Sequence, residues 1–163
     1  MNFKDKIKKL LPYIISCLIS LGVGILSALI TSGNMDIYDS ITKPPLAPPA
    51  ILFPIVWTAL YILMGISSAK IYIGREQNLS ESKDALAVYA MSLAVNFTWS
   101  ILFFNLGAFL VSFVWLLLLL SLIITTVIRY YPLDRPAALL QIPYIVWVAF
   151  AGYLNFAIFI LNG

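Results

Sequence analysis

The chain has 163 residues, of which 62% are hydrophobic and 10% are charged, and its mean hydropathy is +0.98. A soluble domain is nearer to half apolar and a quarter charged, so these values exclude a soluble globular fold. The sequence has no histidine and one cysteine, which excludes zinc sites, histidine-ligated haem and histidine-based catalytic triads. We therefore expect no metal ion and no cofactor, and we interpret the net charge of +3 as a topology signal rather than evidence for nucleic-acid binding.

Five apolar runs lie near residues 10–30, 51–73, 85–105, 108–128 and 137–161. Each has about 20 residues, which is the length at which an α-helix crosses the hydrocarbon core of a bilayer. The runs are continuously apolar rather than alternating, so a transmembrane β-barrel is excluded. The predicted fold is a single all-α domain, a bundle of five transmembrane helices with a loop over residues 31–50.

Basic residues at the start of the chain allow a second interpretation of the first run, a signal peptide. Four lysines precede it: Lys4, Lys6, Lys8 and Lys9. The run is too long for a signal core and no Ala-x-Ala cleavage site follows it, so we interpret it as the first transmembrane helix.

The first run also carries small residues at every fourth position, namely Ser16, Ser20, Gly24 and Ala28. Such a face allows another helix to approach closely. It predicts packing within the chain, with a dimer seam as the alternative. Cys17 lies beside this face and is interpreted as a small packing residue.

Nine of the ten basic residues fall on one side of the predicted bundle. Besides the four lysines, they are Lys70, Arg75, Lys83, Arg129 and Arg135, whereas Lys43 lies opposite. The positive-inside rule therefore places the N-terminus in the cytoplasm and the C-terminus outside. Asn78-Leu79-Ser80 fits a glycosylation sequon, but it falls on the predicted cytoplasmic side and is interpreted as a chance match.

The loop over residues 31–50 is long for so short a chain, and such loops are often functional. Its second half, Lys43–Pro49, contains four prolines, Pro44, Pro45, Pro48 and Pro49. Proline fixes the backbone and removes a hydrogen-bond donor, so this half cannot be helix interior. We expect it to form an ordered, extended strap that leads into the second transmembrane helix, where Pro54 fits the first turn.

The interiors of the spans contain no charged residue, and Lys70 lies near a helix end. The absence of charged groups at membrane depth argues against a proton-driven pump. Instead, aromatic and polar residues share one face on each of three helices. These residues are Trp57 and Tyr61; Asn96, Trp99 and Phe103; and Tyr144, Trp147 and Ala151. Core packing or an interfacial belt accounts for any single aromatic residue, whereas three such faces make packing alone a weaker explanation. Asn96 is the strongest clue, because an amide in hydrocarbon needs a partner on another helix or a ligand. By contrast, the leucine run 116–120 predicts that the fourth helix faces lipid or a second copy of the chain.

Four blocks of this sequence resemble the TspO/translocator protein family, also called tryptophan-rich sensory proteins or peripheral benzodiazepine receptors. They lie in order between Tyr38 and Asn155. The blocks are Lys43-Pro44-Pro45-x-Ala47-Pro48-Pro49, Phe53-Pro54-x-Val56-Trp57-x-x-Leu60-Tyr61-x-x-Met64-Gly65, Asn96-Phe97-x-Trp99-x-x-x-Phe103-Phe104, and Pro143-Tyr144-x-x-Trp147-x-x-Phe150-Ala151-x-x-Leu154-Asn155.

The resemblance implies a homodimeric bundle in the membrane, with a pocket that opens toward the strap. It also implies binding of porphyrins such as protoporphyrin IX and of benzodiazepine-type or isoquinoline-carboxamide drugs. The pocket residues carried over by position are Tyr38, Trp57, Tyr61, Asn96, Trp99, Trp147 and Ala151. We add the strap prolines, Phe103 and Tyr144 as candidate ligand contacts.

Two functions follow as hypotheses from the resemblance. In the first, the protein degrades porphyrin in light and oxygen, with Trp57 and Trp147 as the electron or radical partners. In the second, it is a non-catalytic porphyrin or lipid transporter or a stress sensor. The chain departs from the family pattern at Leu46, where the family often has tryptophan, and at Phe156, where the eukaryotic cholesterol pattern has tyrosine followed by a basic residue. Cholesterol transport is therefore not expected, and the short form without a transit peptide indicates a bacterial cell membrane.

Overall fold

The computed structural model describes the backbone of residues 3–163 and the side chains from Ile7 onward, so the predicted roles of Lys4 and Lys6 lie outside the described residues. Its helices are α1 (Phe3–Thr31), α2 (Ile37–Ser40), α3 (Leu52–Gly74), α4 (Leu79–Ser100), α5 (Phe109–Tyr130), α6 (Arg135–Leu139) and α7 (Ile142–Asn162). Ser32–Asn34 forms a 3-10 turn and Ile101–Asn105 a π-helical turn. Over residues 3–163 there is no strand, and five helical segments are long and apolar enough to cross a membrane. The predicted fold class is confirmed.

Three predicted helix boundaries are wrong. α1 begins at Phe3 rather than near residue 10. α4 begins at Leu79 rather than near residue 85, because charged residues are compatible with helix where it lies outside the hydrocarbon. The predicted fifth helix is divided into α6 and α7. Pro143 causes this break, since it has no N–H to donate to the carbonyl of Leu139. It lies in the first turn of α7, where a missing donor is tolerated. Asp134 caps α6 by accepting a hydrogen bond from the amide of Ala137 at 2.8 Å.

The small-residue face of α1 packs inside the bundle. The Ser20 hydroxyl lies 3.0 Å from the Tyr89 hydroxyl of α4, and Gly24 lies against the ring of Tyr61 on α3. Cys17 lies against Gly65 of α3 so closely that its backbone occupies the space of an added methyl group. Packing within the chain is therefore confirmed at Ser20 and Gly24, and Cys17 is a packing residue as predicted.

The leucine run of α5 does not face lipid as a whole. Leu116 and Leu119 are buried, whereas Leu117 and Leu118 are about half exposed. A helix turns by about 100° per residue, so an unbroken apolar run necessarily covers both the packed and the exposed faces. The prediction that this helix faces lipid or a second chain applies only to its exposed face.

Side chains of α7 fasten the strap to one end of the bundle. Asn162 joins Thr42 in both directions, since its Oδ1 accepts from the Thr42 amide at 2.8 Å and its Nδ2 donates to the Thr42 carbonyl at 3.0 Å. The hydroxyl of Tyr153 donates to the carbonyl of Pro45 at 3.0 Å. The prolines cannot offer their own donors, but their carbonyls accept, which is how the extended strap remains attached.

Tyr38 fastens the strap from the opposite side. Its hydroxyl donates to the carbonyl of Pro48 at 2.9 Å, and its ring lies edge-on to Phe53 at a centroid distance of 5.1 Å. Burial and the neighbouring charge of Asp39 raise the pKa of the Tyr38 phenol. The phenol therefore remains protonated, and a donor to Pro48, throughout the physiological pH range.

A β-turn bends the strap at Leu46. The amide of Ala47 donates to the carbonyl of Pro44 at 3.2 Å, and Leu46 has a φ of +67°. Residues other than glycine rarely adopt this backbone, which a type II turn requires at its third position. Because Leu46 is 80% exposed, burial within the described chain does not offset the strain.

Candidate functional site

A cavity of about 210 Å³ lies between α1, α3 and α4, near the strap. No charged side chain is among the residues that line it. Four predicted pocket residues form part of its wall: Trp57, Tyr61, Asn96 and Trp99. The other lining residues are Leu21, Gly24, Ile25, Ser27, Ala28, Thr31, Met35, Phe53, Pro54, Thr58, Ser100 and Phe104.

Trp57 is the centre of an aromatic cluster that joins three helices. Its ring centroid lies 5.6 Å from that of Tyr61 on the same helix and 6.3 Å from that of Trp99 on α4. Tyr144 of α7 meets it edge-on at 6.0 Å. The three aromatic faces that the sequence picked out therefore meet in the structure.

Asn96 has its polar partner on a neighbouring helix. Its Nδ2 donates to the hydroxyl of Tyr61 at 2.9 Å, and both side chains are buried. This bond fixes the position of the tyrosine ring, which in turn lies against Gly24. An unpaired amide in hydrocarbon would cost free energy. The bond of Asn96 to Tyr61 removes that cost and helps to set the shape of the cavity wall.

A second, smaller cavity of about 30 Å³ lies on the α7 side. Its walls include the predicted residues Tyr38, Trp99, Phe103 and Ala151, with Phe53, Phe104, Leu154, Asn155 and Ile158. Three aromatic residues, Phe53, Trp99 and Phe104, line both cavities. These three residues therefore lie between the two cavities; we call them the partition, and we call the two cavities together the cleft and each of them a compartment.

Several predicted contacts line neither compartment. Tyr144 is only 1% exposed and lies behind Trp57, and Trp147 is half-buried with its ring 6.0 Å from that of Phe53. Among the strap prolines, Pro44 and Pro48 are buried and Pro45 and Pro49 are exposed, and none borders a cavity. Tyr144 and Trp147 contact lining residues through their rings, and contact of these residues and of the strap prolines with a ligand stays a prediction.

Sequence reasoning placed no residue of α1 in the pocket, yet this helix forms one wall. The available signal was the small-residue series, since Gly24 and Ala28 both line the larger cavity. Asn155 was also omitted from the predicted site, although it belongs to the quoted α7 block. An asparagine in hydrocarbon is as informative at position 155 as at Asn96.

Buried polar atoms without protein partners are concentrated around the cleft. Within the described residues they are Nε1 of Trp99 and of Trp147, the hydroxyl of Tyr144, and both amide atoms of Asn155. Trp115, away from both cavities, has its Nε1 bonded to two oxygens of α4. Native proteins pair almost all such groups. Of these residues, Trp99 and Asn155 border the small cavity, whereas Tyr144 and Trp147 line neither cavity, so Trp99 and Asn155 suit a site where a ligand supplies the partners.

The π-helical turn at the end of α4 helps to build the partition. The amide of Leu106 donates to the carbonyl of Ile101 at 3.2 Å, which is the wider spacing of a π-helix. Phe103 and Phe104 are adjacent in sequence, and both border the small cavity with ring centroids 4.9 Å apart. Such turns often occur at functional sites, but residue patterns of helices do not reveal them.

The arrangement suits binding and stacking better than acid–base chemistry. Among the residues that the structure describes, no group of three histidine, cysteine, aspartate or glutamate side chains could bind a metal. The cleft presents indoles and phenols, which stack on flat molecules, and the two side-chain amides of Asn96 and Asn155, which form hydrogen bonds.

Ala151→Phe is expected to weaken ligand binding and lower stability. Ala151 borders a cavity of about 30 Å³, so the added ring must displace neighbours, at a typical overpacking cost of about 1–3 kcal/mol. Thermal unfolding and a porphyrin titration measure the two effects. Ala149→Phe on the exposed face of α7 is the matched control, and equal affinities in all three proteins would remove position 151 from the site.

Comparison with known proteins shows which family the chain resembles. Residues 15–161 match the model of the TspO/MBR family. The chain is 39% identical over 125 residues to a tryptophan-rich protein TspO of Chlorobaculum tepidum, covering 77% of this chain and 78% of that protein. It is 36% identical over 154 residues to a tryptophan-rich protein TspO of Archaeoglobus fulgidus, covering 94% and 98%. It is 37% identical over 138 residues to the translocator protein of Bos taurus, covering 84% and 81%.

Proposed function

This chain belongs to the TspO/MBR family of membrane proteins, and from that premise we propose that it binds porphyrins, protoporphyrin IX among them, and isoquinoline- or benzodiazepine-type molecules. The observation that supports this proposal best is the aromatic cluster around Trp57, which borders an uncharged cavity. A flat conjugated ring gains both apolar burial and stacking in such a cleft.

The size of the cleft indicates that binding requires movement. Drug-sized ligands occupy pockets of roughly 300–1,000 Å³, whereas the larger cavity has about 210 Å³. Displacement of Phe53 or Phe104 joins the two compartments, because both rings belong to the partition. We therefore expect the ligand to rotate these rings on binding.

A tryptophan-fluorescence titration tests the proposal. Protoporphyrin IX added to the protein in lipid nanodiscs should quench emission saturably, and an isoquinoline carboxamide should compete with it. Trp57→Ala should raise the dissociation constant about tenfold, near 1.4 kcal/mol, whereas Trp115→Phe, outside both cavities, should leave it unchanged. A tryptophan ester in nanodiscs without protein is the control. Quenching of the protein that rises linearly with porphyrin concentration, as it does for this control, would indicate partition into lipid and exclude a specific site.

Whether bound porphyrin reacts is a separate question, and we propose that it is degraded in light and oxygen. The alternative is transport or stress sensing without chemistry. An illuminated time course distinguishes them, since only a catalysed reaction yields a new pigment that depends on the tryptophans of the cleft. We also infer from the family that the protein acts as a homodimer.

We propose that the N-terminus faces the cytoplasm and the C-terminus the outside of a bacterial cell membrane. The support is the one-sided distribution of basic residues. Reporter fusions should be active only inside at the N-terminus and only outside at the C-terminus. A cytoplasmic C-terminus would contradict the proposed orientation.

A further inference from the structure

Asn155 of α7 is a buried polar residue whose side chain forms no hydrogen bond with the described residues. It is 1% exposed, and neither atom of its amide has a hydrogen-bond partner among the described residues. It borders the small cavity together with Trp99, whose Nε1 likewise lacks a partner. Unpaired buried groups oppose folding, so an apolar residue at position 155 would serve the bundle better.

Two other asparagines show how this chain ordinarily uses buried or bridging amides. Asn96 donates to Tyr61 at 2.9 Å. Asn162, two turns beyond Asn155 on α7, bonds Thr42 through both its amide atoms. Asn155 differs from both because its donors and its acceptor face no protein partner.

The position of Asn155 places it at the far end of the cleft. The larger cavity lies on one side of the rings of Phe53, Trp99 and Phe104, and Asn155 lies on the other. A ligand too large for the first compartment must displace the partition, and its leading end then reaches the amide. The rest of that ligand remains against the cluster around Trp57.

We propose that Asn155, with the indole N–H of Trp99, binds the polar end of the ligand, and that this end is an uncharged carboxylic acid or an amide with a free N–H. Asparagine offers donors and an acceptor, and the indole adds one donor. A carboxylic acid or N–H amide complements them, because it both donates and accepts. An ester or a tertiary amide only accepts. No charged side chain borders either compartment, so a neutral group is favoured.

The inference rests on the proposed porphyrin site and names the ligand class of that site. Its test compares protoporphyrin IX with its dimethyl ester, which has the same ring but no acid proton, in wild-type, Asn155→Leu and Asn155→Ala proteins. Both variants should lose about a hundredfold in affinity for the acid, which donates to the amide and accepts from it, and about tenfold for the ester, which only accepts, at about tenfold for each hydrogen bond to a buried group. Leucine at position 155 fills the small cavity, whereas alanine enlarges it. A loss of affinity that both variants share therefore results from removal of the Asn155 amide and not from the change in cavity volume.

Thermal stability without ligand provides the second readout. Asn155→Leu should raise Tm, since it removes unpaired polar atoms, whereas Asn162→Leu should lower Tm because it breaks the bonds to Thr42. The Asn162 variant should change the affinities for acid and ester equally. If Asn155→Leu retains the wild-type ratio of acid to ester affinity, or lowers Tm and weakens both ligands equally, the assignment of Asn155 is wrong while porphyrin binding stands. If the wild-type protein binds neither porphyrin, the proposed function fails and this assignment fails with it.

Discussion

Gly65→Ala is expected to destabilise the bundle by at least the upper part of the usual overpacking range of about 1–3 kcal/mol. A Cβ added at Gly65 would lie 2.5 Å from the Cα of Cys17 and 2.8 Å from its backbone nitrogen. Backbone atoms cannot move aside as a side chain can, so α1 must separate from α3. Since α1 forms one wall of the larger cavity, porphyrin affinity should fall together with stability.

Gly22→Ala is the matched control for this prediction. Gly22 lies in α1, and an added Cβ there meets no atom within 4 Å. Alanine is favoured over glycine in helix interiors by about 1 kcal/mol, so this variant should be as stable as the wild type or more so. Thermal unfolding in one detergent measures both. Equal Tm values for the two variants would contradict the close contact between α1 and α3.

The helices themselves were predictable because the bilayer imposes their length and composition. A span must be about 20 residues of apolar helix, so the five runs follow directly from hydropathy. The division between α6 and α7 depends instead on Pro143 and on the cap at Asp134. Pro143 acts inside the apolar run over residues 137–161 and Asp134 just before it, and the hydropathy of the run does not show either effect.

The candidate site was predictable in part, because helical periodicity places its residues on shared helix faces. Trp57, Tyr61, Asn96 and Trp99 share helix faces, and the structure brings them to one cavity. Periodicity identifies a buried face but does not distinguish a residue in the cavity wall from one behind it, such as Tyr144. That distinction depends on how the helices are rotated and where gaps remain between them.

Trp57→Phe and Trp147→Phe are expected to abolish most of the light-dependent conversion of porphyrin while sparing its binding. The cleft presents no charged group and the described residues offer no metal-ligand cluster, so the proposed reaction relies on aromatic side chains, with light as the source of energy and oxygen as the oxidant. Phenylalanine preserves an apolar ring and much of the stacking area but removes the more oxidisable indole. Affinity should therefore stay within roughly 1.5 kcal/mol of the wild type, the upper end of aromatic-pair contributions.

The two tryptophans differ in position, which makes the comparison informative. Trp57 borders the larger cavity, whereas Trp147 lies behind Phe53 at a centroid distance of 6.0 Å. Direct contact with porphyrin would make Trp57→Phe the more damaging change, while electron transfer through the ring cluster would make both changes comparable. Pigment formation is followed by absorbance under identical illumination, with Trp115→Phe as the control that keeps full turnover. Wild-type turnover in both variants would exclude a catalytic role for these indoles and leave binding, transport or sensing as the function of the cleft.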